Sequence, residues 1–203
     1  MPTTVDELRW SEGVHAPSAF SVLLVDTLPD PEGLACVDAG CGAGLVTVSL
    51  LRRGARSVFA FDKDRYAVAD ARANVARLTP DPRRARLRIG GFAELSGEPC
   101  DMLVCNPPQR PKELWADLPR ADQRPFFVAG DDGLGAVRLV LMLTSAPRAI
   151  FSLSSIVCPD ATALAAEFGR RARLLGERLV QHDPVWGRIA PELLAPARVW
   201  EVS

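Results

Sequence analysis

One feature constrains the fold more than any other: short apolar runs alternate with helix-length segments along the whole chain. Residues 34–39, 57–61 and 102–105 are brief apolar stretches bounded by glycine, proline or acidic residues. Runs this short suit strands buried on both faces of a parallel sheet. Between them, residues 43–53 are apolar with a basic end that stops at Gly54, which predicts a helix. Val46, Thr47 and Val48 would also suit a strand, so the helix there rests on context. Residues 64–78 form the clearest helix. Asp64 can cap its N-terminus, and Tyr66, Val68, Ala69, Ala73 and Ala76 make an apolar stripe.

The pattern continues with a helix at 18–28, an outer strand at 86–89, helices at 134–144 and 160–173, and strands at 149–153, 176–181 and 197–202. Residues 106–125 read as a long polar loop with one helical turn at 112–118. A loop of that length in a compact domain is usually functional. Strand–helix alternation with right-handed crossovers predicts an α/β, Rossmann-like doubly wound sheet, mostly parallel, with an antiparallel C-terminal strand. The expected organisation is an N-terminal helical lid or cap over 1–33 and one domain over 34–203.

Composition narrows the function. The 203 residues carry a net charge of −1, which argues against a generic nucleic-acid binder. No apolar run reaches the roughly 18 residues of a membrane span. The first ten residues carry acids and no basic, apolar leader, so a cytoplasmic protein is expected. The five cysteines include no CxxC pair and there are only two histidines, so a metal site is not expected and the thiols should be reduced and buried.

Two segments carry chemistry. Asp38-Ala39-Gly40-Cys41-Gly42-Ala43-Gly44 stands between the first strand and the first crossover helix. Its glycines let the backbone turn sharply and approach a ligand, and the helix behind them should offer N–H groups. Such a turn lies at the carboxyl edge of the sheet, where doubly wound proteins bind ligands. Asp62 ends the second strand, where a carboxylate can accept both hydroxyls of a ribose. Neighbouring Asp64 reads as a helix cap. The second segment, Asp101-Met102-Leu103-Val104-Cys105-Asn106-Pro107-Pro108-Gln109, ends the fourth strand. Two prolines after Asn106 stiffen the backbone. The Asn106 side-chain oxygen and a proline carbonyl then form two acceptors at fixed spacing, suited to a nitrogen bearing two hydrogens. Such a device orients and does not move protons.

Together these residues resemble the class I S-adenosylmethionine-dependent methyltransferases. Asn106-Pro107-Pro108 resembles the NPP(Y/F) motif of the amino-methyltransferases, including the release-factor glutamine methyltransferases, without their N-terminal substrate domain. Gly13 to Ser18 and Ala129 to Leu134 resemble flanking segments of the same enzymes. The resemblance implies S-adenosylmethionine as cofactor and S-adenosylhomocysteine as product. It implies cofactor contacts from Asp38, Gly40, Cys41, Gly42, Gly44, Asp62, Lys63 and Asn106, with Asp38 at the amino-acid end. Asn106 and Pro107 would be catalytic; Pro108, Gln109 and Trp115 would meet the acceptor. Gln109 departs from the family, which usually has an aromatic there to stack on a planar target. Phe92 either packs on the adenine or is a core phenylalanine. His15 is either a lid residue over the cofactor or a loop histidine, and His182 reads as structural.

The expected activity is N-methylation of a small metabolite or peptide. Alternatives are a protein side chain or RNA, or carbon or oxygen of a natural product. A nicotinamide-dependent reductase is disfavoured, because GxGxxG is absent and Tyr66 is the only tyrosine.

Overall fold

The computed structural model describes residues 5–117, 131–190 and 192–203. Among these, seven strands form one sheet: β1 (Ala35–Ala39), β2 (Ser57–Asp62), β3 (Ala85–Ile89), β4 (Met102–Cys105), β5 (Arg148–Ser154), β6 (Ala172–Gln181) and β7 (Leu194–Val202). Their order is β3-β2-β1-β4-β5-β7-β6. β7 runs antiparallel to both β5 and β6, and β1 to β5 pair in parallel. The helices are α1 (Ala19–Thr27), α2 (Leu45–Arg52), α3 (Arg65–Leu78), α4 (Gly135–Leu143) and α5 (Thr162–Ala166). The expected Rossmann-like sheet is therefore present.

Strand side chains alternate between two halves of the core, as a two-residue period requires. Cys36, Val58, Val104 and Ile150 pack with Leu24, Val48 and Val75 of α1, α2 and α3. Val37, Phe59, Leu103 and Phe151 pack on the opposite face with Val137, Val140 and Leu164 of α4 and α5. Both clusters are buried, which explains why β1 and β4 are apolar throughout apart from Asp38. Val46, Thr47 and Val48 are helical, as the crossover requires, and Asp64 caps α3 by accepting from the Tyr66 N–H at 2.8 Å.

The helix expected over 160–173 is much shorter. It spans only Thr162–Ala166, and β6 begins at Ala172. Gly169 adopts a left-handed φ of 67°, which stops the helix, and the following residues pair with β7, with one irregularity between Leu174 and Gly176.

Residues 5–14 strap across α2 and α3. The Glu7 carboxylate accepts from both terminal nitrogens of the Arg52 guanidinium, at 2.8 and 3.0 Å. Asn74, buried on α3, accepts from the Arg9 N–H at 3.0 Å and donates to the carbonyls of Arg9 (2.6 Å) and Ala43 (2.9 Å). One side chain thus ties the strap to the glycine turn. Replacing it by alanine strands several buried polar groups, at roughly 1–3 kcal/mol for each that stays unpaired. Asn74→Ala should lower the midpoint of urea unfolding by an amount matching at least one such loss. An unchanged midpoint would show that the strap contributes nothing to the fold.

Candidate active site

Strand register brings the two motifs together. Ala39 pairs with Phe61 on one side and Cys105 on the other. The residues that follow, Gly40, Asp62 and Asn106, therefore emerge side by side at the carboxyl edge of the sheet.

Gly40, Gly42 and Gly44 all have positive φ, at 82°, 51° and 91°. A Cβ at Gly40 or Gly42 would meet open space, whereas one at Gly44 would lie 3.1 Å from Ala71. Gly44 thus lets α2 and α3 approach, while Gly40 and Gly42 leave room for a ligand. The N–H groups of the turn are less available than the sequence suggests. Those of Gly40 and Cys41 donate to the Phe61 carbonyl at 2.9 and 3.0 Å, and that of Gly44 to Cys41. The Gly42 N–H donates to Asp62 Oδ2 at 3.0 Å. The turn contributes shape more than donors. Cys41 faces the core, where burial drives its thiol well above the ordinary range.

Asp62 is half-buried and also accepts from the Asp64 N–H at 3.0 Å through Oδ1. Each carboxylate oxygen keeps a lone pair for a further donor. Asp38 is deeply buried and accepts from Thr47 Oγ1 at 2.5 Å. Burial pushes its pKa up to about 7, opposed by the Thr47 hydrogen bonds and reinforced by the charge of Asp62. Lys63 lies exposed beside Asp62; desolvation holds its ammonium below the usual range and the Asp62 charge opposes this. Phe92 packs edge-on to Phe61, with ring centroids 6.4 Å apart, and joins the core beside α4.

Asn106 is half-buried and donates through Nδ2 to Ser21 Oγ on α1 at 3.0 Å. That bond fixes the amide and turns Oδ1 away from Ser21. Pro107 beside it is buried and Pro108 half-buried. Gln109, expected to meet the acceptor, is engaged on the backbone of β5. Its Oε1 accepts from the Ser154 N–H at 2.6 Å and its Nε2 donates to the Ser152 carbonyl at 3.3 Å, so it pins the loop to β5. The Trp115 side chain and the 118–130 segment lie outside the described residues, as do Ala129 and Gly130 of the second flanking motif.

His15 lies in the exposed segment before α1. Desolvation and the nearby Arg110 guanidinium hold its imidazole below the usual pKa. Arg110 follows the proline motif directly, so His15 sits on the same side of the sheet as Asn106. Val14 is buried against Ala43 and Ala67, which lays this segment beside the glycine turn. His182 is structural: buried between Phe20 and Trp186, its Nε2 lies 2.7 Å from Ser154 Oγ and its Nδ1 faces the carbonyls of Val180 and Leu193. The five cysteines are unpaired, and Cys100 alone among them is not fully buried. Among the described residues no helix is long and apolar enough to cross a membrane, and no group of three His, Cys, Asp or Glu is placed to hold a metal ion.

Ser21, Thr47 and Asn74 carry polar contacts at this edge that the sequence did not single out. The available signal was a polar residue on an otherwise apolar helix face, which names a position and not its partner.

Residues 14–117 match the family described as the methyltransferase small domain. The ribosomal protein L11 methyltransferase of Prochlorococcus marinus (strain MIT 9303) is 41% identical over 98 residues, covering 46% of this chain and 32% of the relative. The release factor glutamine methyltransferase of Gloeobacter violaceus is 32% identical over 145 residues, covering 66% of this chain and 50% of the relative. The chain thus spans about a third to a half of the length of these curated relatives. Among solved structures, a chain of the E. cuniculi Mtq2–Trm112 complex, responsible for methylation of the eRF1 translation termination factor, superposes with a TM-score of 0.63 at 18% identity, covering 95% of this chain and 97% of that one.

Proposed function

The chain belongs to the methyltransferase small domain family, and from that footing we propose that it transfers a methyl group from S-adenosylmethionine to a nitrogen of a peptide or protein side chain. The observation that carries the nitrogen is the Asn106 amide, fixed through Nδ2 on Ser21 beside Pro107. With that orientation Oδ1 is an acceptor ready for an N–H group, and the Pro107 carbonyl is the second. The peptide class draws support from the relatives, whose names specify a ribosomal protein and a release factor.

The residues present fit the cofactor. Asp62 has lone pairs for a ribose diol, Gly40 and Gly42 border open space, and Asp38 is a buried carboxylate with no cationic partner among the described residues. A bound ammonium at the amino-acid end would stabilise ionised Asp38. The cofactor supplies a methyl group on a sulfonium. Asn106 and Pro107 hold the acceptor N–H bonds so that its lone pair faces that methyl. The methyl would pass from the sulfonium to that nitrogen, S-adenosylhomocysteine would leave, and the nitrogen would give up one proton to solvent; the contribution of Asn106 and Pro107 would be alignment. The segment around His15 and Val14 lies beside the glycine turn, where it would flank the bound cofactor.

The raised Asp38 pKa gives a pH signature. In the unliganded protein, protonated Asp38 is favoured, so its stabilising effect is present below about 4 and is lost as pH rises through about 7. Binding of a cationic ammonium has the opposite sense, because it needs the ionised form. S-adenosylhomocysteine should bind about tenfold more weakly at pH 6 than at pH 8, and Asp38→Asn should remove that slope. Calorimetry at the two pH values checks it; equal affinities would place the ammonium elsewhere.

The acceptor class is tested with methyl-labelled cofactor, offering glutamine-bearing peptides and purified ribosomal protein L11 alongside small amines. Label on a peptide or protein nitrogen is the expected result. Label on a small amine alone would move the assignment to a metabolite, and label on carbon or oxygen would overturn the nitrogen.

A further inference from the structure

The crossover from β3 to β4 differs from its neighbours. α2 and α3 fill the two preceding crossovers, but here a single 3-10 turn, Phe92–Leu95, stands in place of a helix. On β3, Ala85 and Leu87 pack toward the α1–α3 side. Arg86 and Arg88 alternate with them and face the side where that helix would lie. A half-open cleft of about 390 Å³ lies there, at the amino end of β1 and β2. It sits at the end of the sheet opposite the glycine turn and Asn106.

We propose that this cleft binds a compact phosphorylated ligand, of the diphosphate or nucleotide class. Four arginines line it, Arg56, Arg83, Arg84 and Arg86, with Glu98 the one carboxylate in the lining. Three of these guanidiniums are balanced by neighbouring carboxylates, Asp101, Asp81 and Glu98, and Arg84 carries the remaining positive charge. The Arg86 guanidinium lies over the Phe59 ring, 3.7 Å from its centroid, which holds it flat at the wall. Arg84 donates through Nη2 to the Leu51 carbonyl at 3.1 Å, while its buried Nε has no partner among the described residues. The remaining guanidiniums are engaged in ion pairs. Arg83 pairs with Asp81 at 2.9 Å, Arg56 with Asp101 at 3.5 Å and Arg86 with Glu98 at 2.5 Å. The Arg83–Asp81 and Arg56–Asp101 pairs are largely exposed and contribute little net stability, whereas Glu98 is half-buried. A phosphate can exchange for such carboxylates, because guanidinium forks match its oxygens in bidentate geometry. The volume lies at the lower end of the range for small-ligand sites, which favours a diphosphate or one nucleotide over an extended strand.

The site is independent of the methyl-transfer assignment, and its test is kept apart from it. Pyrophosphate, ADP and a ten-nucleotide single-stranded RNA are titrated separately into the protein saturated with S-adenosylhomocysteine, and pyrophosphate and ADP also into an Asp62→Ala variant. Pyrophosphate or ADP should bind saturably in both proteins. Tighter binding of ADP would assign a nucleotide, equal binding the phosphates alone. The paired substitution Arg56→Gln with Arg83→Gln removes two largely exposed side chains, so the fold should hold, and it should weaken binding about tenfold or more. Arg84→Gln serves as the second variant, with the same expected direction. No saturable binding at millimolar pyrophosphate or ADP would overturn the proposal. So would binding unaffected by these substitutions, or binding of RNA alone.

Discussion

Asn106→Ala should reduce methyl transfer by a factor on the order of 10² or more, far more than it weakens cofactor binding. The side chain is held through Nδ2 by Ser21 Oγ at 3.0 Å, so its oxygen occupies a fixed place at the end of β4. Alanine removes one of two acceptors for the incoming nitrogen and leaves the glycine turn and Asp62 untouched. Alignment is the main source of catalytic gain in a direct displacement, so turnover falls much more than binding does. Asn106→Asp should retain more activity than alanine. It keeps an acceptor toward the substrate, and the Ser21 hydroxyl can reverse its role and donate to the new carboxylate. Turnover and cofactor affinity are measured side by side once label has been placed on an acceptor. Near wild-type turnover in Asn106→Ala would reduce the motif to a turn.

Asp62→Ala should weaken S-adenosylhomocysteine binding tenfold or more. Hydrogen bonds to a carboxylate contribute about 1.5–3 kcal/mol each, and the ribose offers two hydroxyls. Asp62 also receives the N–H groups of Gly42 and Asp64, so alanine loosens the turn as well as removing the ligand contact. Thermal unfolding of the variant, measured beside its affinity, separates the two effects. A folded variant that binds as tightly as wild type would remove Asp62 from the cofactor site.

Much of this site can be read along the chain, because its parts are local. A short apolar strand, a glycine turn and an aspartate at the next strand end follow one another within residues 34–62, and parallel register then sets them side by side. Asn106 adds the same kind of signal, a stiff polar turn after an apolar run. The contacts that were not legible are long-range. Ser21 meets Asn106 across 85 positions, and Asn74 meets Arg9 across 65. Hydrophobic period reports which face a residue takes, and no local pattern names the partner found there. Gln109 shows the same limit. Its departure from an aromatic is visible in sequence, but the use of its amide on the backbone of β5 is a tertiary fact. The overlong helix expected after Asp160 failed for a related reason. Residues 170–173 carry helix-compatible character, yet Ala172 and Arg173 gain more by pairing with Val202 and Glu201 of β7. Arg173 there reaches the nearly buried Glu201 carboxylate at 2.9 Å, which Arg148 also engages at 3.0 Å.

Titration calorimetry with S-adenosylhomocysteine and, separately, with NADH tests the central claim most directly, since both ligands would use the carboxyl edge of the same sheet. Saturable binding of one S-adenosylhomocysteine per chain at pH 8, and no binding of NADH, is the expected result. Saturable binding of NADH, or no heat with S-adenosylhomocysteine from a folded protein, would contradict it.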